Sequence, residues 1–172
     1  MFFLIFIISK EDLQEQIPLS LDKTEFSSLG ERYEGKVRDT YTTGDQVTLI
    51  TSDRVSAFDR VLTTIPFKGQ VLNQMAAFWF NATKDIVPNH VIDVPDPNVI
   101  VAKKVDILPI EIVIRGYLTG SAWRDYSSGK PVSGISLPSG MKMNQKFEKP
   151  LFTPSTKATE GHDMPISKEE II

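Results

Sequence analysis

The sequence predicts a domain that mixes hairpin-forming strands with helices, and three stretches carry the prediction. "YEGKVRDTYTTGDQVTLITSD", starting at Tyr33, holds two runs rich in Val, Thr, Tyr and Ile around Gly44-Asp45, which is a β-hairpin pattern. From Lys68 to Ile86, the residues Val71, Leu72, Met75, Trp79, Ala82 and Ile86 recur at helical spacing and predict one apolar helix face, with Pro88 at the exit. "NVIVAKKVDILPIEIVIRG" then contains two more strands, parted by Pro109.

The remaining elements follow in chain order. "MFFLIFII" opens the chain and is too short to span a bilayer. It lacks a secretory signal's basic start and small-residue cleavage site, so it is read as the product of an upstream start codon or as an apolar strand that docks elsewhere. Residues 9–34, with Pro18 and Gly30, read as a polar, irregular lead-in, and the first segment is bounded at 1–32. "DRVSAFDRVLTTIPFKG" reads as a loop and an extended piece ending at Pro66. Strand alternation puts Val99, Val101 and Lys103 on one face and Ile100, Ala102 and Lys104 on the other. "SAWRDYSSG" predicts a short helix with Ser121 as N-cap and Gly129 at its end. Residues 130–165 read as a long loop, a length uncommon unless functional. In "SKEEII", Ser167 and Glu170 form a capping-box pattern that opens a helix, so a longer protein, cut or supplied in part, is expected.

Composition narrows the function classes. The chain has 172 residues, 41% hydrophobic and 24% charged, a globular profile with enough length for a real core. A net charge of −3 disfavours nucleic acid as a partner across the whole surface. There is no cysteine, so disulfides and thiolate zinc sites are excluded, in keeping with a cytoplasmic setting.

Four clusters carry candidate chemistry. In "GKVRD", Gly35 allows close backbone approach, and Lys36 and Arg38, two apart on a strand, would present two cations to a polyphosphate; a solvated strand face is the competing reading. "SDRVSAFD", Ser52 to Asp59, either binds a polar substrate or is a turn held by its own side chains. In "ILPIEIVIRGYLTGSAW", Glu111 and Arg115 would share a strand face. Arg115 cannot lose its charge, so it meets either an anion held with Ser121 at a helix N-terminus or Glu111 in an internal ion pair. "FTPSTKATEGHD" holds Lys157, His162 and Asp163; the last two could be an acid/base pair, although a surface histidine is commoner.

"YEGKVRDTY", "SDRVSAFD", "LPIEIVIRGYLTGSAW" and "FTPSTKATEGHD" occur in the order they take in the SAICAR synthetase family of purine biosynthesis, the phosphoribosylaminoimidazole-succinocarboxamide synthases. From Tyr33 to its end the chain resembles that family. The resemblance implies an α+β fold, an antiparallel sheet lobe with flanking helices over a second lobe, reminiscent of kinases and ATP-grasp enzymes. It implies a nucleotide-binding lobe at 33–110 and the start of a substrate-binding lobe at 111–172. It implies a ligase that uses ATP and Mg²⁺ to join L-aspartate to the carboxylate of carboxyaminoimidazole ribonucleotide through an acyl phosphate. These small molecules, with neither nucleic acid nor membrane, are the implied partners.

By the same resemblance, Gly35, Lys36, Val37 and Arg38 would cover the ATP phosphates, and Lys104 or Lys103 would line the nucleotide cleft. Ala102 and Ile107 would touch adenine. Arg115, Gly120 and Ser121 would grip the ribonucleotide, with Ser56, His162 and Asp163 also at the substrates. Lys157 would reach the transferred phosphate and Asp59 would lie near the reacting groups. The family continues with an Asp-x-Lys-x-Glu-Phe-Gly segment, where the magnesium ligands are expected, and no such segment occurs here. The 172 residues alone are therefore expected to be inactive. Competing readings are a phosphate-binding module without ligase activity, a β domain that binds polynucleotide through Lys36, Arg38, Lys103 and Lys104, and a fragment that self-associates through its apolar start.

Overall fold

A computed structural model describes residues 9–58, 60–158 and 163–171. The chain divides into two units, Met1–Val105 and Asp106–Ile172.

The described part of the first unit opens with a helix where an irregular lead-in was expected, and the apolar stretch at residues 1–8 lies outside the described residues. In α1 (Lys10–Gln16), Ser9 Oγ accepts from Asp12 N–H while the Asp12 carboxylate accepts from Ser9 N–H, a complete capping box. Five strands then form an antiparallel sheet in the order β1-β2-β3-β7-β6: β1 (Glu31–Glu34), β2 (Arg38–Thr43), β3 (Gln46–Thr51), β6 (Val91–Asp96) and β7 (Val99–Lys103). The Gly44-Asp45 hairpin forms as expected: Thr43 pairs with Gln46 across a two-residue loop, and Gly44 takes φ +56°, the left-handed region such a turn needs.

The strand placement of Lys36 is corrected. Gly35, Lys36 and Val37 form a second turn, between β1 and β2, and only Arg38 lies on a strand. The chain bends there because Gly35 N–H donates to Arg38 O (2.8 Å), while a Cβ at Gly35 would come within 3.0 Å of that oxygen. Lys36 therefore sits in the turn while Arg38 opens β2, and the two do not alternate along one strand. The next segment is a small hairpin in which β4 (Arg54–Ala57) stands where a loop was expected and β5 (Arg60–Thr64) falls in the expected extended piece.

Helix α2 (Lys68–Ala82) forms, but its inward face is not the expected one. Gly69 and Asn73 are its buried residues, whereas Val71, Leu72, Met75 and Trp79 are exposed, as is Ile86 beyond the helix end. The reason is close approach on the other side. A Cβ at Gly69 would sit 2.2 Å from Thr51 O, and Asn73 bridges Thr51 Oγ1 and Pro97 O. Tyr41, Ile50, Ile100 and Ala102 form the buried apolar part of this unit. Among the described residues, no helix is long and apolar enough to cross a membrane.

In the second unit the stretch from Ile110 is two short strands, not one. β8 (Ile110–Glu111) pairs with β11 (Ser155–Thr156), and β9 (Ile114–Tyr117) pairs with β10 (Lys146–Phe152). Helix α3 (Gly120–Ser127) follows β9, with Thr119, not Ser121, in the N-cap position and Gly129 at φ +77° past its end. Residues 130–165 are not a structureless loop, since they contain β10 and β11. Leu118, Ala122, Val132 and Phe147 form the core, with Trp123, Tyr126, Leu137, Met141 and Leu151 packed against it. At the far end the Ser167 capping box forms through Ser167 N–H to Glu170 (2.7 Å) and Glu170 N–H to Ser167 Oγ (3.3 Å), on turns rather than a helix.

Candidate functional site

Each unit holds one candidate region. In the second unit, β9 delivers Arg115 and α3 delivers Ser121. Because β9 runs straight into α3 through Leu118, the two side chains converge. Arg115 Nη2 donates to Ser121 Oγ (2.8 Å) and Nε donates to Thr153 Oγ1 (3.0 Å). Thr153 is buried and donates its hydroxyl hydrogen bond to Val113 O (3.1 Å), which leaves its oxygen as an acceptor toward Arg115. The internal ion pair considered for Arg115 does not form: Glu111 meets Lys157 Nζ instead, at 3.4 Å. Among the described residues, Arg115 has no carboxylate partner, only hydroxyls. A guanidinium aimed by two neutral hydroxyls keeps its full charge for a third group.

That group has space. Arg115, Ser121, Ser133, Thr153 and Asp163 line a cavity of about 320 Å³, with Arg124 and Asp125 on its α3 side. The Asp163 carboxylate accepts Ala158 N–H (2.8 Å). Thr119 makes no side-chain cap at the start of α3, so the first N–H groups of that helix are left uncapped by it. Gly120, at φ +60°, starts the helix, and a Cβ there would lie 4.0 Å from Arg115 Nη1. An arginine, hydroxyls and a helix N-terminus around one cavity suit a phosphate or carboxylate. Ser121 thus serves as a partner of Arg115 rather than as the cap expected for it.

In the first unit Lys36, in the turn at residues 35–37, and Arg38, just after it, are exposed. Its carbonyls face inward. Arg54 donates from Nη2 to Gly35 O (2.9 Å) and from Nε to Lys36 O (3.2 Å), and Ser52 N–H and Oγ both donate to Val37 O, at 3.1 and 3.0 Å. Arg54 also donates to Asp22 O and to Asp39 Oδ1 (2.8 Å). Asp39 is 1% exposed and further accepts from Thr24 N–H and Oγ1. Burial would raise the Asp39 pKa, but the bonds from Arg54 and Thr24 outweigh it and hold the carboxyl below its ordinary value. Asp53 accepts from Leu21 N–H (2.9 Å) and from Gly69 N–H (2.8 Å), so it caps α2 from a distance. "SDR" is therefore a set of buried ties to distant segments rather than a turn held by its own side chains.

The other expected residues are spread out. Ser56 lies half-buried on β4 opposite Val61. Val37 and Arg38 line a second cavity of about 320 Å³ under α2, with Leu49, Phe80 and Ile100. Ala102 is fully buried in the sheet and offers no side-chain surface to a base. Lys103 ends β7 and Lys104 follows it, its N–H on Asp45 O (2.8 Å); both side chains are exposed. Ile107 is 80% exposed in the stretch between β7 and β8. Lys157 is exposed and paired with Glu111. Asp59 and His162 lie outside the described residues. Among the described residues, no group of three His, Asp or Glu side chains could hold a metal ion. Sequence reasoning missed Thr153 and the Asp39–Arg54 pair; their sole signal was a place inside motifs whose other members had drawn attention.

Residues 31–172 match the family model described as SAICAR synthetase. A Legionella pneumophila (strain Paris) phosphoribosylaminoimidazole-succinocarboxamide synthase is 52% identical over 161 residues, 91% of this chain and 51% of that protein. A chloroplastic phosphoribosylaminoimidazole-succinocarboxamide synthase of Vigna aconitifolia is 46% identical over 170 residues, 96% of this chain and 47% of that protein. Among solved structures, the SAICAR synthase of Saccharomyces cerevisiae complexed with SAICAR aligns with a TM-score of 0.78 and 32% identity, covering 88% of this chain and 57% of that one. The chain spans about half the length of the curated relatives it matches.

Proposed function

Because this chain belongs to the SAICAR synthetase family, we propose that it supplies nucleotide- and ribonucleotide-binding parts of an ATP-dependent ligase. That ligase joins L-aspartate to the carboxylate of carboxyaminoimidazole ribonucleotide. The observation that carries the reading is Arg115, held by Ser121 and Thr153 over a cavity beside an uncapped helix start, without a carboxylate partner among the described residues.

The residues divide the work as follows. Arg115, Ser121 and the first N–H groups of α3 bind the ribonucleotide's phosphate, with Gly120 letting the chain enter the helix close to the guanidinium. The β1–β2 turn fits a polyphosphate: its carbonyl oxygens point inward, and Lys36 and Arg38 are exposed on it. When bound, ATP supplies the phosphoryl group that activates the substrate carboxylate. Lys103, Lys104 and Ile107 are accessible for contacts with the nucleotide. Lys157 must exchange Glu111 for phosphate to act on the reacting group; their exposed pair, at 3.4 Å, is weak enough to permit that. Magnesium does not fit the described residues, which contain no cluster of ligands for it.

The test is a coupled assay for ADP release by the gene product that carries this chain. Release that needs both L-aspartate and the carboxylated ribonucleotide is the expected result. Nucleotide hydrolysis indifferent to both would overturn the ligase reading and favour a phosphate-binding module.

A further inference from the structure

Arg54 is 3% exposed, and its side chain donates to two carbonyls of the β1–β2 turn. Its guanidinium spans Gly35 O and Lys36 O, while Ser52 holds Val37 O through two donors. Three successive carbonyls are thus drawn to the protein side of the turn. The consequence is electrostatic as well as mechanical. Carbonyl oxygens repel a phosphate, and turning all three inward removes that repulsion from the outer surface where Lys36 and Arg38 are displayed. Asp39 completes the device: it accepts from Arg54 at 2.8 Å and orients its plane, while its other oxygen meets Arg32 at 3.3 Å. A lysine could keep the charge opposite Asp39 but lacks the planar fork that reaches two carbonyls in different directions.

We propose that Arg54, set by Asp39 and assisted by Ser52, is a positioning residue that moulds the β1–β2 turn into a nucleotide-phosphate cradle. This rests on the nucleotide reading given above. It goes beyond it by placing the determinant of the cradle in a buried side chain of a different hairpin.

The experiment compares Arg54→Lys, Lys36→Ala and Asp53→Asn in the full chain, with ADP as the probe. Amide hydrogen exchange at Gly35 and Ser52, whose acceptors are Arg38 O and Val37 O, reports the turn itself. In Arg54→Lys, exchange at these two amides should rise about tenfold or more while β3 and β7 stay protected, and ADP affinity should fall by about the same factor. Asp53→Asn loosens residue 21 and the start of α2 without touching a turn carbonyl. It should lower Tm and leave both turn exchange and ADP affinity as they are. Unchanged exchange in Arg54→Lys overturns the inference, as does an equal loss of ADP affinity in Asp53→Asn. If Lys36→Ala leaves ADP affinity unchanged, the nucleotide reading itself fails, and the exchange data still say whether Arg54 shapes the turn. Should Arg54→Lys not fold, Ser52→Ala removes one tie to Val37 O, and about a threefold rise in exchange is expected. No rise there overturns the inference equally.

Discussion

Replacing Arg115 with methionine separates a binding arginine from a structural one. The change keeps most of the side chain's apolar length and removes its charge. Two hydrogen bonds are lost, to Ser121 Oγ and Thr153 Oγ1. Both hydroxyls line a cavity of about 320 Å³, so water can replace the guanidinium at each. Thr153 also keeps its bond to Val113 O. The stability cost should therefore stay at about 1–2 kcal/mol, the net worth of two ordinary hydrogen bonds partly replaced by water. Binding is different. A hydrogen bond from a charged donor to a phosphate contributes about 1.5–3 kcal/mol, or roughly 10- to 150-fold in Kd. The assay is paired calorimetry: the carboxylated ribonucleotide and the matching nucleoside without phosphate, each titrated into wild type and Arg115→Met, with denaturant unfolding alongside. The ribonucleotide should lose one to two orders of magnitude in affinity and the nucleoside should lose none. A large stability loss of about 3–5 kcal/mol with unchanged ribonucleotide affinity would refute the reasoning, because it would mark Arg115 as a buried structural charge.

Leu118→Ala, at a fully buried position in the second unit's core, should cost about 2–5 kcal/mol, measured by urea unfolding with Trp123 fluorescence as a local probe. Gly69→Ala should destabilise although alanine is the better helix former: its Cβ would meet Thr51 O at 2.2 Å, and overpacking of about 1–3 kcal/mol outweighs a propensity gain of about 1. A Tm at or above wild type would show that β3 and α2 separate freely. Because the Asp39 carboxyl is held below its unfolded value, the stability it contributes is complete above the ordinary aspartate range and falls as pH drops through its folded pKa. Asp39→Asn should flatten that acid limb of a stability–pH curve; an unchanged limb would assign it to other carboxyls.

Sequence alone determined the features that depend on neighbours in the chain. The Gly44-Asp45 hairpin, the existence of α2 and the capping box at Ser167 rest on local backbone chemistry, and each motif carries that chemistry within a few residues. The Ser9 capping box is equally local, and the helix it opens is short. The family likeness was legible for the same reason, as short runs in a fixed order. Tertiary structure decided what depends on distant partners. Periodicity found an apolar stripe on α2 but could not say that Gly69 and Asn73 would face the sheet, because close approach to Thr51 is set by a strand far away in sequence. Spacing put Glu111 and Arg115 on one strand face and left open whether they pair, whereas the break between β8 and β9 gave Glu111 to Lys157 and left Arg115 to Ser121 and Thr153. It also could not show that Arg54 reaches back to the Gly35 turn. A charge's partner is chosen by three-dimensional proximity and burial, and neither is written in the order of the residues around it.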